Sequence, residues 1–214
     1  VAAKRGTIWS EDGYALAETA TGYEIGLIFS QEPRSPAFFA ELGEAAGVSG
    51  GFLQARSDAY WSLKREYDSK SDLTEEQDDE WGLKLRRASS FFMDELVNAK
   101  VKDKVNAVKR SWRANGVSVR AVDYRRYPLR DAAAGITGRM LDGSNDLGLE
   151  ATLGADLGRG DVNLTINQEI QLTAFEALRQ AVDLHRALSG AAVVLNSQTG
   201  EVVALADYPS YDPE

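Results

Sequence analysis

Gly190-Ala191-Ala192-Val193-Val194-Leu195-Asn196-Ser197-Gln198-Thr199-Gly200-Glu201-Val202-Val203-Ala204-Leu205-Ala206 reads as a β-hairpin. Two apolar runs, Ala191 to Leu195 and Val202 to Ala206, flank the polar turn Ser197-Gln198-Thr199-Gly200. Upstream, Val162-Asn163-Leu164-Thr165-Ile166 has the composition of a strand. Asn167 then caps a helix expected over Gln168 to Leu188, with Ile170, Ala174, Leu178, Ala181 and Val182 on its apolar face. Asparagine suits that position because its side-chain oxygen accepts from the free N–H groups of the first turn.

The same reading extends to the amino terminus. Gly6 to Trp9 is a short strand, Glu11-Asp12-Gly13 a turn, and Tyr14 to Ala17 and Tyr23 to Phe29 are further strands. Gln31 to Pro36, with two prolines, interrupts them. Ala37 to Ala46 has a helical apolar face, closed by Gly47 to Gly51. Tyr60 to Arg65 is short and aromatic, and a polar, acidic loop is expected after it.

Thr74-Glu75-Glu76-Gln77 is a capping box. Trp81, Leu85, Ala88, Phe92 and Leu96 follow at helical spacing, and Val101, Val105, Val108 and Trp112 continue on a drifted stripe. A long helical segment over about 74–114 is therefore expected, with a break near Asn98-Ala99-Lys100 and a left-handed cap at Asn115-Gly116. Val117 to Tyr127 alternates as a strand ended by Pro128, and the glycine-rich Asp142 to Gly160 is expected to be a loop. Strands, helices, strands, helix and hairpin in that order predict an α+β fold with mainly antiparallel sheet.

Composition narrows the function. In 214 residues, 43% are hydrophobic and 27% charged, which allows an ordinary globular core. The net charge of −9 argues against a nucleic-acid surface. No cysteine is present, so thiolate metal sites and disulfides are excluded. No apolar run approaches the roughly 18 residues of a membrane span. The chain opens at Val1-Ala2-Ala3 and closes at Pro213-Glu214 as though both ends were cuts in a longer protein.

Chemistry is sparse. The single histidine, His185, sits in a helix and is read as an ordinary helix residue. Glu75-Glu76 and Asp78-Asp79-Glu80 fan around a helix and form a solvated face. Arg86-Arg87 and Arg125-Arg126 are read as surface pairs. Gly154 to Gly160 matches no phosphate-binding loop. No catalytic, cofactor-binding or metal-binding residue is assigned.

Several blocks carry a resemblance. Val162 to Asn167, with Thr165, and Ile170-Gln171 resemble "LTID…LQ" at the start of the penicillin-binding transpeptidase domain. Val193 to Ala206, with Thr199, Gly200 and Glu201, resembles "VVLDPxTGEILAMA", and Pro209-Ser210-Tyr211-Asp212-Pro213 resembles "PSYDPN". Arg5-Gly6-Thr7-Ile8, then Asp12-Gly13 and Leu16-Ala17, resembles "RGxIxDRNGxxLA". Arg126-Tyr127-Pro128 with Ala132-Ala133, Gly135 and Gly138 resembles "RxYPxGxxAAHVLG", and Gly148-Leu149-Glu150 resembles the "GLE" after it. Residues 66–113 align with none of these blocks, and Glu150 to Asp161 is shorter than the family usually has.

The blocks stand in the order found in class B penicillin-binding proteins. The resemblance implies a pedestal domain over 1–160 and the beginning of a transpeptidase domain over 161–214. The pedestal would be non-catalytic and need no cofactor. The intact protein would be a single-pass, membrane-anchored serine D,D-transpeptidase on the periplasmic face, cross-linking peptidoglycan stem peptides and acylated by β-lactams. Its partners would be a SEDS-family polymerase, RodA-like or FtsW-like, and cell-wall regulators. Penicillin-recognising enzymes need Ser-x-x-Lys and Lys-Thr-Gly, and this sequence contains neither. The chain is thus expected to stop before its nucleophile. The alternative is a naturally short, catalytically dead scaffold, which the open edges of a lone hairpin disfavour.

Overall fold

In the computed structural model, residues 4–141 and 146–214 are described. Val1 to Ala3 and the first residues of the glycine-rich stretch, 142–145, lie outside the described residues. One unit comprises Val1–Ala20 and Tyr124–Glu214, and the other Thr21–Asp123.

The first unit begins with β1 (Ile8–Trp9), paired antiparallel with β2 (Ala15–Ile28) through Ile8↔Ala17 and Trp9↔Ala15. Gly13, at φ +81°, completes the turn between them, where Ser10 N donates to the Tyr14 carbonyl at 2.8 Å. The chain leaves this unit within β2 and returns within β4 (Val117–Arg126), which also pairs with β2. In the second unit, β3 (Ser90–Phe92) pairs antiparallel with β2 through Gly26↔Phe92 and Ile28↔Ser90.

Helices supply the core of the second unit. α1 (Pro36–Ala46), α2 (Gly50–Asp68), α3 (Glu75–Ala88) and α4 (Ala99–Trp112) follow in order. Phe29, Phe38, Phe39, Leu42, Leu53 and Val105 are buried together there. The capping box holds at both ends: Gln77 N donates to Thr74 Oγ1 at 3.3 Å, and Thr74 N to Gln77 Oε1 at 3.0 Å.

Four local expectations change in this unit. Gly47 does close α1 in the left-handed conformation, but Gly50 and Gly51 open α2, which runs straight through Tyr60 to Arg65. The helical segment near 74–114 is two helices separated by β3, because Phe91 and Phe92 are taken up by pairing with β2. The cap of α4 is Arg113, at φ +50°, and not Asn115-Gly116. Gly116 serves close approach instead: a side chain there would run into the Ile28 carbonyl and Glu32.

In the first unit, the expected loop from residue 146 onward folds into α6 (Gly148–Thr152) and α7 (Gly154–Leu157), after the short α5 (Ala134–Thr137). β5 (Val162–Asn163) is shorter than its composition suggested and pairs parallel with β1 through Ile8↔Val162. α8 (Gln168–His185) starts where Asn167 Oδ1 accepts from Ile170 N at 3.1 Å. It ends at His185, three residues before the expected Leu188, with Arg186 as its left-handed cap at φ +51°. β6 (Gly190–Leu195) and β7 (Val202–Tyr208) form the hairpin, in register Val193↔Leu205. Ile8, Leu16, Ile136, Leu157 and Ile166 form one buried cluster, and Phe175 with Ala132 and Ala206 another.

Candidate functional site

Residues from three separate sequence blocks meet at one buried carboxylate. Glu150, on α6, is 0% exposed. Its Oε2 accepts from Arg5 Nε at 2.7 Å and its Oε1 from Arg125 Nε at 2.6 Å. Arg5 Nη2 also donates to the Glu150 carbonyl and lies 3.5 Å from Asp146 Oδ2. Arg125 Nη1 donates to the Gly6 carbonyl at 2.8 Å and to Thr19 Oγ1 at 3.1 Å, leaving Nη2 without a partner. Two cations against two anions balance the local charge, and the carbonyl acceptors offset part of the desolvation cost. The carboxylate is fully engaged and sealed from solvent, so the cluster acts as a lock between segments and offers no free acid or base.

Glycines permit this approach. A side chain on Gly6 would collide with the Gly160 carbonyl. Gly138 has φ +68° and ψ −149°, a region essentially closed to other residues. Gly148, at φ +61°, packs its backbone against Gly138. Asp161 caps the neighbouring strand, its Oδ1 accepting from Thr7 N at 2.7 Å and its Oδ2 from Trp9 Nε1 at 3.0 Å. Those bonds hold its carboxyl below the usual range.

Arg125 corrects the sequence reading. It is buried, while Arg126 is exposed and pairs with Glu18 at 2.5 Å. Strand alternation does not reveal it: the burial pattern breaks between Val117 and Arg125, with Ala121 and Asp123 exposed and Val122 half-buried. Tyr127 is buried, and its hydroxyl accepts from Met140 N at 2.6 Å. Burial pushes the Tyr127 phenol up to about 12.

A second polar tie joins α8 to the hairpin. Gln171 is 0% exposed. Its Nε2 donates to the Ala132 carbonyl at 2.6 Å and the Leu205 carbonyl at 2.8 Å, and its Oε1 accepts from Leu205 N at 2.8 Å. Thr165 Oγ1 donates to the Val202 carbonyl at 2.7 Å. Asp12 Oδ1 accepts from Gln168 N at 3.0 Å, so the first turn of the chain helps start α8. Tyr211 OH donates to the Ala134 carbonyl at 3.3 Å, next to the cis Tyr208-Pro209 bond. Thr199, Gly200 and Glu201 stand apart at the exposed hairpin tip, where Thr199 Oγ1 donates to Glu201 Oε2 at 2.8 Å.

Pro128, Leu129, Arg130, Leu172, Phe175 and Arg179 help line a cleft of about 680 Å³. Both arginines lining it are already paired, Arg130 with Asp212 at 2.7 Å and Arg179 with Glu176 at 2.8 Å. Hydrogen bonds from Arg179 and Gln180 hold the Glu176 carboxyl near 2. His185 is exposed in the last turn of α8, and the carboxylates of α3 are exposed. Among the described residues, no helix is long and apolar enough to cross a membrane.

The family described as "Penicillin-binding Protein dimerisation domain" matches residues 1–162. The "Probable peptidoglycan D,D-transpeptidase PenA" of Neisseria gonorrhoeae is 49% identical over 53 residues, which is 25% of this chain and 9% of that protein. The "Peptidoglycan D,D-transpeptidase FtsI" of Escherichia coli K12 is 42% identical over 50 residues, 23% of this chain and 8% of that protein. These matches span about a tenth of the curated relatives' length. The crystal structure of Penicillin Binding Protein 2X from Streptococcus thermophilus superposes with a TM-score of 0.67 at 19% identity, covering 100% of this chain and 35% of that one.

Proposed function

The chain belongs to the class B penicillin-binding proteins, matched across their dimerisation domain, and from that premise we propose that residues 1–160 are a non-catalytic pedestal and residues 161–214 begin a transpeptidase domain. The pedestal positions a peptidoglycan-cross-linking D,D-transpeptidase above the inner membrane, on its periplasmic side. It contacts a SEDS-type polymerase, RodA-like or FtsW-like. The intact protein is anchored in that membrane, acts on stem peptides and is acylated by β-lactams.

The buried Arg5–Glu150–Arg125 cluster carries the reading. It ties the amino-terminal strand to the segment that enters β5, α8 and the hairpin. That is a stiff connection between the start of the chain and the catalytic domain to be held, as a spacer requires. The hairpin supports the second half of the proposal. One of its faces packs on α8, while Val193, Leu195 and Leu205 are 55%, 58% and 39% exposed on the other. An apolar face between open strand edges suits the first part of a larger sheet.

Co-purification with tagged RodA-like and FtsW-like polymerases in detergent tests the contact. Capture of one of them, weakened by substitutions on the pedestal surface, is expected, and capture of neither overturns the contact. Fluorescent penicillin tests the division of labour. The chain stays unlabelled, and a form extended through a Ser-x-x-Lys segment is labelled; covalent labelling of the 214-residue chain ends the non-catalytic reading.

A further inference from the structure

The groove between α2 and α3 plays no part in the cluster around Glu150. On α2, Phe52, Arg56, Ala59 and Leu63 recur every three or four residues and share one face. On α3, Lys84, Arg87 and Ala88 lie opposite. Arg56, Ala59, Leu63, Lys84, Arg87 and Ala88 together line a cleft of about 410 Å³. Its floor is the apolar surface of Ala59, Leu63 and Ala88. Phe52 extends that strip, exposed and edge-on to Phe91 at 5.5 Å between centroids.

The rim is cationic. Lys84 is engaged by Glu80 at 2.8 Å and by the Trp81 ring. Arg56 and Arg87 are exposed and have no ion pair among the described residues. That is notable in a chain with 33 acidic and 24 basic residues, where carboxylates are in excess. No residue of α3 is buried, although Trp81, Leu85 and Ala88 form a half-buried apolar side. Two packed helices with an apolar furrow present the ridges and grooves that a third helix fills.

We propose that this groove docks an acidic amphipathic helix of a partner protein. An apolar side chain of that helix seats over Leu63 and Ala88, and carboxylates on either side of it reach Arg56 and Arg87. The inference deepens the pedestal reading by naming the chemistry of one partner, and it involves no polymerase. Charge at such a rim sets association rate and salt dependence, while the apolar anchor sets retention.

The test displays a library of helical peptides of about 15 residues and selects on the full 214-residue chain. Winners are expected to carry Leu, Ile or Phe flanked by Asp or Glu at helical spacing. Anisotropy of a labelled winner should show about a tenfold loss of affinity, near 1.4 kcal/mol, for Arg56→Glu and for Arg87→Glu, and a fall with added salt. Arg110→Glu on α4 should change nothing, and circular dichroism should show all three variants folded. Selection without that consensus, or binding indifferent to both reversals, overturns the proposal. So does self-association of the chain that the same reversals abolish, which would give the groove to the acidic first turn of α3 in a second copy. Failure here beside successful polymerase capture removes only the groove, and the opposite result removes only the polymerase contact.

Discussion

The two units hold together by different means. Around Glu150, the ties are polar and long in sequence, from Arg5 and Arg125 to one carboxylate and from Gly6 N to the Leu157 carbonyl at 2.7 Å. The Thr21–Asp123 unit is held by apolar packing, with Phe29, Phe38, Phe39 and Leu42 buried among helices. A salt-bridged, glycine-framed cluster tolerates almost no change at its named positions. A helical core tolerates many volume-conserving changes. The short motif blocks lie in the first unit, whereas the family model spans residues 1–162 and so takes in the second unit as well.

The contrast is testable, beginning with its strongest side. Glu150→Ala leaves the buried Arg125 and the partly exposed Arg5 without their shared anion and should cost about 3–5 kcal/mol, read by urea denaturation. Hydrogen exchange should then show the amides of β1 and β5 losing protection while α1 and α4 keep theirs. Simultaneous opening of all four would merge the two units into one and break the comparison. Phe38→Ala is the mirror experiment. It empties the aromatic core and should also cost about 3–5 kcal/mol, now with α1, α2 and α4 exposed first.

Glu32 sharpens the comparison at smaller scale, because it is a carboxyl that the apolar unit has buried with neither oxygen hydrogen-bonded. Burial pushes it up to about 7, against partial relief from the backbone near Gly116 and from Lys109. The folded state therefore binds a proton more tightly than the unfolded state. Stability is greatest below the ordinary carboxylate range and falls as pH rises toward 7. Glu32→Gln should remove that slope and stabilise the protein by about 1–3 kcal/mol at pH 8, with no gain near pH 4. A gain equal at both pH values would refute the assignment. The smallest effect belongs to Thr74→Ala, which removes one cap and should cost about 1 kcal/mol. Hydrogen exchange should show fraying confined to the first turn of α3.

Much of the site was legible as motif and little of it as geometry. Arg5, Gly6, Gly138, Gly148 and Glu150 stand out in the sequence, yet nothing in their order says that they converge. Arg125 reads as surface because a charged pair on a strand usually is, and the partners that bury it, Glu150, Gly6 and Thr19, are distant in sequence. The stripe from Trp81 to Leu96 reads as helix by period alone. Phe92 leaves it because β2 offers a pairing edge, a partner more than sixty residues away.

What the sequence settled by itself lies within a few residues of each signal. The Thr74 and Asn167 caps, the Gly13 turn and the Asn196–Gly200 hairpin tip all rest on hydrogen bonds of short span. Tertiary structure decided the rest: the two-helix folding of 148–157, the strand between α3 and α4, the parallel seat of β5 on β1, and the burial of Glu150 between two arginines. The physical reason is range. Local hydrogen-bonding chemistry is written in adjacent residues, whereas the free energy of burying an ion cluster exists only once segments far apart in sequence have met.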